Sequence, residues 1–132
     1  MSALGTAMEA GARRGPYSDV IRERWRRPQR RGELSGATAV AEDVNPLCGD
    51  RVRIALRLEG DTVKAARFVA DSCAICTASA DVVAELVEGK SRAEAATLEA
   101  TDVLEILAAD IRPTRMRCVT LPLSVLGTAL GP

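Results

Sequence analysis

RVRIALRLEGDTVKAARFVADSCAICTASADVVAELVEG, residues 51–89, decides the fold because its periodicity changes partway along. From Arg51 to Gly60 apolar and charged residues alternate. Val52, Ile54, Leu56 and Leu58 share one face while Arg51, Arg53 and Arg57 take the other, the pattern of a half-exposed strand. Glu59, Gly60 and Asp61 supply turn chemistry, and TVKAARFVA (62–70) is a second β-patterned run, so a hairpin is expected. Beyond Asp71 and Ser72, either of which can cap, the period lengthens. Ile75, Ala78, Val82 and Leu86 recur at intervals of three and four, predicting a helix over 73–88 that packs on the sheet and ends at Gly89.

Working outward, residues 36–42 read as one more strand, so three antiparallel strands are the economical expectation. YSDVIRERWRRP (17–28) sets Tyr17, Val20, Ile21 and Trp25 near one face of a short amphipathic helix that Pro28 stops. SRAE at 91–94 has the form of a capping box, a further helix is expected near 102–109, and Pro113 breaks that series. The last segment, from about Leu121 to Leu130, puts Leu121, Val125, Leu126 and Ala129 on one side. It predicts a buried terminal helix with Pro122 in its first turn. Residues 1–15 are expected to be a disordered tail and residues 16–132 a single domain.

A chain of 132 residues with 47% apolar content suffices for one core. Tyr17, Trp25 and Phe68 are its only aromatics, so the interior must be built from Ala, Val, Leu and Ile, and base stacking is a poor fit. Eighteen basic residues balance eighteen acidic ones, leaving no global field toward nucleic acid or anionic lipid. RERWRRPQRR (22–31) packs six arginines into ten residues; such a run is a solvated helix face or a docking surface for a protein partner. The first 16 residues, interrupted by Glu9, Arg13 and Arg14, lack the apolar run of a secretory signal. The longest uncharged run, CVTLPLSVLGTAL, has 13 residues, short of the roughly 20 that span a bilayer. A cytoplasmic protein that binds neither nucleic acid nor membrane is expected.

Four cysteines, at 48, 73, 76 and 118, are too few and too scattered for a secreted disulfide framework. NPLCGD (45–50) has the composition of a tight turn and presents Cys48 and Asp50 from a loop between two strands. Cys73 falls at a helix start, where open amides and the macrodipole favour thiolate, and Cys118 is expected just before the terminal helix. Three thiolates and a carboxylate from separate loops can converge on a site suited to zinc or iron–sulfur chemistry; equally, each cysteine can be a buried packing residue. A zinc knuckle wants a second CxxC pair and a thioredoxin-like site a βαβ context, neither of which is present. Cys76, one turn inside its helix, therefore reads as a small buried hydrophobe.

These residues also carry a family resemblance. VIRERWRRPQRRGEL, NPLCGD, FVADSCAICTASADVVAELVEGKS and PTRMRCVTLPLSVLGTAL resemble, in order, four segments of the U-type iron–sulfur cluster scaffold family of IscU, the NifU N-terminal domain and SufU. The resemblance implies an α+β fold, a small three-stranded antiparallel sheet covered by helices. It implies a site of Cys48, Asp50, Cys73 and Cys118 that holds a transient [2Fe–2S] cluster or Zn²⁺. It also implies a cysteine desulfurase that delivers persulfide and apo iron–sulfur proteins that receive the product. The function implied is that of a scaffold rather than a turnover enzyme, or alternatively a zinc-dependent sulfur acceptor. Cys48 matches the SufU-type persulfide acceptor and Cys118 the IscU-type one. Three features depart from the IscU pattern. Arg117 stands where IscU has a histidine, and the chain has none. PTRMRC is SufU-like, yet Cys73 and Cys118 lie an IscU-like 45 positions apart. RPTR replaces the Pro-Pro-Val-Lys string that a dedicated chaperone reads. Arg115 and Arg117 are available to offset the charge of either bound species.

Overall fold

Gly60 makes the hairpin. The computed structural model describes residues 17–131, and the tail expected over residues 1–15 lies outside the described residues. Strands β1 (Ala39–Val44), β2 (Arg51–Glu59) and β3 (Thr62–Asp71) pair antiparallel in the order β1-β2-β3. The two-residue link between β2 and β3 has its positive φ, +61°, at Gly60; this is the type II′ arrangement that suits strand twist. Across the hairpin Val52 faces Ala70, Ile54 faces Phe68 and Leu56 faces Ala66, and all six are buried. A slip of one residue would turn this row to solvent, so burial sets the register. Arg51, Arg53 and Arg57 occupy the opposite face, where Arg51 pairs with Glu42 and Arg53 with Glu33.

The expected strand over 36–42 begins later. Gly36 has φ +73°, and the ladder is first met by the Thr38 amide, which donates to the Leu56 carbonyl, so residues 36–38 turn into the sheet rather than extend it.

Among the described residues five α-helices follow or flank the sheet: α1 (Asp19–Arg26), α2 (Ala74–Val87), α3 (Arg92–Ala95), α4 (Ala100–Leu107) and α5 (Met116–Leu130). α2 packs against β3, and α5 against β1 and β2, on the apolar face of the sheet. The fold is α+β, a helical layer on one side of a three-stranded sheet. α2 is not the one-sided helix expected. Every residue from Ile75 to Ala84 is buried because β3, α1, α4 and α5 surround it, while Leu86 is half-exposed.

Several termini differ from the sequence reading, each for a local reason. Asp71 is still paired with Arg51 in the sheet and the Ser72 hydroxyl is bonded to Thr77 at 2.9 Å, so Cys73 becomes the cap of α2. The SRAE capping box forms, closing the single-turn α3 through Ser91 and Glu94. α4 starts two residues early and ends where Ala108 adopts φ 51°. The terminal helix starts at Met116 rather than Leu121. Pro113 opens the 3₁₀ turn Pro113–Arg115 that leads into it, so Pro122 lies in the helix interior and Cys118 in the first turn. The missing Pro122 amide deprives only the Cys118 carbonyl of its helical bond, and the next carbonyl, that of Val119, accepts the Ser79 hydroxyl at 2.9 Å.

α1 is capped by Ser18, which accepts from the Ile21 amide at 3.2 Å and donates to the Leu107 carbonyl. Of its expected apolar face only Ile21 is buried, with Tyr17 41% and Trp25 50% exposed. Arg24 explains the orientation, since α1 is turned to bring this guanidinium onto the fully buried Asp81 of α2 at 2.8 Å. Most of the arginine run is similarly engaged: Arg22 with Asp19, Arg27 with Glu23, Arg30 with Glu88, and Arg31 with the Ala70 carbonyl.

The outer edge of β3 is sealed. Phe68 exchanges bonds with the Arg30 carbonyl and the Gly32 amide, Val63 with Lys90 and Gly89, and the Ala66 amide donates to Glu88 at 2.9 Å. Burial pushes the Glu88 carboxyl up, but the Ala66 amide, Arg30 and Arg67 outweigh it and hold the group below its ordinary value. Its stabilisation is therefore complete above the unfolded-state value and is lost as pH falls through the lower folded one. Glu88→Gln is expected to cost about 1–3 kcal/mol at neutral pH and to flatten the loss of stability between about pH 5 and pH 3. Urea melts across that range are the measurement, and parallel curves for the two proteins would refute the assignment.

Candidate metal and sulfur site

The loop between β1 and β2 is a closed turn. The Asn45 amide donates to the Asp50 carbonyl and the Gly49 amide to the Asn45 carbonyl, both at 2.7 Å, while the Asn45 side chain accepts from the Leu47 amide at 3.1 Å. Gly49 has φ +78°, a conformation that side chains resist, and this reversal points Asp50 inward and leaves Leu47 and Cys48 outside. The Asp50 carboxylate, 6% exposed, accepts from the Cys73 amide at 3.1 Å through one oxygen. Through the other it accepts from the Cys118 thiol at 3.7 Å.

That arrangement follows from the sheet register. Arg51 pairs with Asp71, so the residue before β2 and the residues after β3 emerge side by side at one end of the sheet. Cys73, as cap of the 14-residue α2, accepts from the Cys76 amide at 3.5 Å and sits at the positive end of the helix. Cys118, expected to precede its helix, is the third residue of α5 and 4% exposed. Burial pushes its thiol up to about 11, with the Arg115 guanidinium pulling the other way.

The ligand atoms of Asp50, Cys73 and Cys118 lie within 4.8 Å of one another. Cys48 stands outside this group, exposed on the same loop as Asp50. Cys76 is fully buried in the core, and burial pushes its thiol well up. Arg115 lies beside Cys118 and Cys73, and their proximity raises its own pKa. Arg117 points into an open groove of about 310 Å³ beside Asp43, Asn45, Thr120 and Ser124. Two supporting residues escaped the sequence reading. Tyr17 lies beside Arg115, although helical spacing assigned it to the core; Ser79 braces α5, and its place in the ASA step was the available signal.

Soft thiol donors and one hard carboxylate, gathered at a helix start and half enclosed, are the donor set that suits a thiophilic metal or sulfur. The NifU-like N terminal domain model matches residues 16–131, and the chain belongs to that family, the iron–sulfur cluster assembly scaffold family of IscU and SufU. It is 36% identical over 56% of its length to a zinc-dependent sulfurtransferase SufU of Bacillus subtilis. It is 29% identical to an iron–sulfur cluster assembly scaffold protein IscU of Streptococcus pyogenes, over 86% of this chain and 82% of that one. The crystal structure of a SufU from Fervidobacterium islandicum superposes with a TM-score of 0.75 at 27% identity, covering 86% of this chain and 96% of that one. The chain spans half or less of the length of the curated relatives it matches at 36% identity. Among the described residues no helix is long and apolar enough to cross a membrane.

Alkylation with iodoacetamide of the reduced, chelator-treated chain is expected to modify Cys48 first and Cys76 only on unfolding, because one thiol is exposed and the other has no accessible surface. Peptide mapping over time reads the order; early labelling of Cys76 would contradict this packing.

Proposed function

We propose that the chain is a scaffold that accepts persulfide sulfur from a cysteine desulfurase, assembles a [2Fe–2S] cluster on Cys48, Asp50, Cys73 and Cys118, and passes it to apo iron–sulfur proteins in the cytoplasm. The single observation that carries this reading is the clustering of Asp50, Cys73 and Cys118 within 4.8 Å, with a fourth donor, Cys48, on the adjoining exposed loop. An exposed thiol suits receipt of sulfur from a large partner, and the enclosed thiols suit retention. Cys48 is accordingly the first acceptor in this reading and Cys118 the alternative. The cluster is cargo, so a hard oxygen among soft sulfurs serves as the exchangeable ligand.

A second reading, a zinc-dependent sulfur acceptor that stimulates the desulfurase without building a cluster, is favoured by the identity shared with the Bacillus SufU and by the SufU-like PTRMRC string. The same residues fit zinc: two thiols and a carboxylate already converge, and tetrahedral zinc takes sulfur and oxygen donors from separate elements. Bound zinc would hold Cys48, Asp50, Cys73 and Cys118 together and stabilise their thiolates.

Anaerobic reconstitution with ferrous iron, cysteine and the desulfurase, beside metal analysis of protein purified without chelator, separates the two. Cluster absorbance with transfer to an apo-ferredoxin supports the scaffold; stoichiometric zinc and desulfurase stimulation with no cluster formed supports the alternative. Asp50→Ala is expected to slow cluster release by tenfold or so, and transfer as fast as wild type would count against the exchangeable carboxylate.

Docking of the desulfurase is assigned to α1. Trp25 is half-exposed, Arg26 has no ion-pair partner among the described residues, and both line an open groove with Tyr17, Ile21, Arg22 and Ala74 beside the capping Cys73. Reversing Arg26 and Arg27 to Glu is expected to lower sulfur transfer several-fold at low salt with only a small drop in melting temperature from the lost Arg27–Glu23 surface pair. Unaltered transfer would remove α1 from the interface.

A further inference from the structure

Cys76 is the one cysteine that the proposed function does not use, and its position is particular. It lies three residues beyond Cys73 in the first turn of α2, its amide donates to the Cys73 sulfur at 3.5 Å, and it has no accessible surface. Helical neighbours three apart have Cβ atoms about 5–6 Å from each other, and a disulfide needs about 3.5–4.5 Å, so a small adjustment at the cap closes the gap. The thioredoxin-like reading lacked its fold context, yet the local geometry is present: one cysteine caps a helix and a second sits buried a turn later. Complete burial shields Cys76 from reagents in solution. It remains open to a sulfur already carried on its neighbour.

We propose that Cys76 reduces a persulfide on Cys73 to sulfide within the same helical turn. The inference rests on the reading that this chain carries sulfane sulfur. A persulfide received on Cys118 or Cys48 reaches Cys73 by transfer of its outer sulfur to the Cys73 thiol, leaving the first cysteine as a thiol. Asp50, Cys73 and Cys118 lie close enough for the Cys118 exchange. The Cys76 sulfur then attacks the inner sulfur of the Cys73 persulfide. The Cys73–Cys76 bond forms and the bond to the outer sulfur breaks. The outer sulfur leaves with the electron pair and takes the Cys76 proton, departing as hydrogen sulfide. It gains two electrons, and the two cysteine sulfurs lose two in becoming a disulfide. No external reductant enters this step. An external dithiol restores the pair by ordinary exchange before the next round.

This step delivers sulfur at the oxidation level that a cluster needs, and it removes Cys73 from the ligand set until the disulfide is reduced. Cys118 is the competing resolving thiol. It is the less suitable one, because it belongs to another helix and already donates to Asp50, whereas Cys73 and Cys76 are held together by a single turn.

The test loads the full-length reduced chain with inorganic polysulfide, removes the excess, and follows sulfide release alongside tryptic mapping. Trypsin places Cys73 and Cys76 together on residues 68–90 and each other cysteine on a separate peptide. Wild type is expected to release one sulfide per chain and to yield the 68–90 peptide two hydrogens lighter, with an internal disulfide. Cys76→Ser and Cys76→Ala are expected to keep the added sulfur on this peptide and to release sulfide at least about tenfold more slowly. The wild-type mapping stands even if a variant fails to fold. Retention of the persulfide by wild type, a disulfide joining 68–90 to the Cys118 peptide, or release from the variants at the wild-type rate would each overturn the proposal. The assay contains neither desulfurase nor metal, so failure of a desulfurase to load the chain would count against the proposed function and leave this result unaffected.

Discussion

The Asp50 carboxylate is the point on which the site depends. One of its oxygens holds the first open amide of α2 and the other faces the Cys118 thiol of α5, so a single side chain ties a loop to two helices that are remote in sequence. That contact exists because the β2–β3 register sets Arg51 opposite Asp71. The register in turn is held by the buried row of Val52, Ile54 and Leu56 against Ala70, Phe68 and Ala66. Hydrophobic burial in the sheet thus fixes a polar contact just beyond its end.

The helical layer keeps α2 in place by charge as well as packing. Asp81 is fully buried and satisfied by Arg24 and by the Arg30 amide, and Glu88 joins Arg30, Arg67 and the Ala66 amide at the other end of the helix. An ion pair so enclosed contributes specificity of arrangement more than net stability, since desolvation offsets much of the attraction. A helix buried on all sides cannot orient itself by an apolar face alone, and these polar contacts supply the missing direction. The precise placement of Cys73 at its tip follows.

Seen as a set, the cysteines are graded by access. Cys48 is exposed, Cys73 half-buried, and Cys118 and Cys76 enclosed. In the proposed function such a gradient would give sulfur a direction, from a thiol a partner can reach to thiols that solvent cannot. The chain bears likeness to relatives named for zinc and for cluster assembly, and soft thiols with one carboxylate are donors compatible with either species.

Much of this was legible in the chain itself. The two-residue alternation of 51–70 and the longer period of 75–86 marked the hairpin and the helix, because a strand and a helix repeat their faces at different intervals. The turn chemistry of NPLCGD marked the loop that carries Cys48 and Asp50. Local signals failed where a distant partner decides. Trp25 looked like a core residue until Arg24 met Asp81, and Pro122 looked like a helix start although Pro113 had already provided one. Cys48 and Asp50 read as equivalent ligands, yet the φ of Gly49 turns one out and the other in. What the sequence determined by itself was the order of elements and the candidate donor residues. Only the tertiary structure decided which of them meet, because convergence is set by strand register and helix packing across separations of 23 and 68 positions from Asp50 to Cys73 and Cys118, and no local pattern encodes a distance in space.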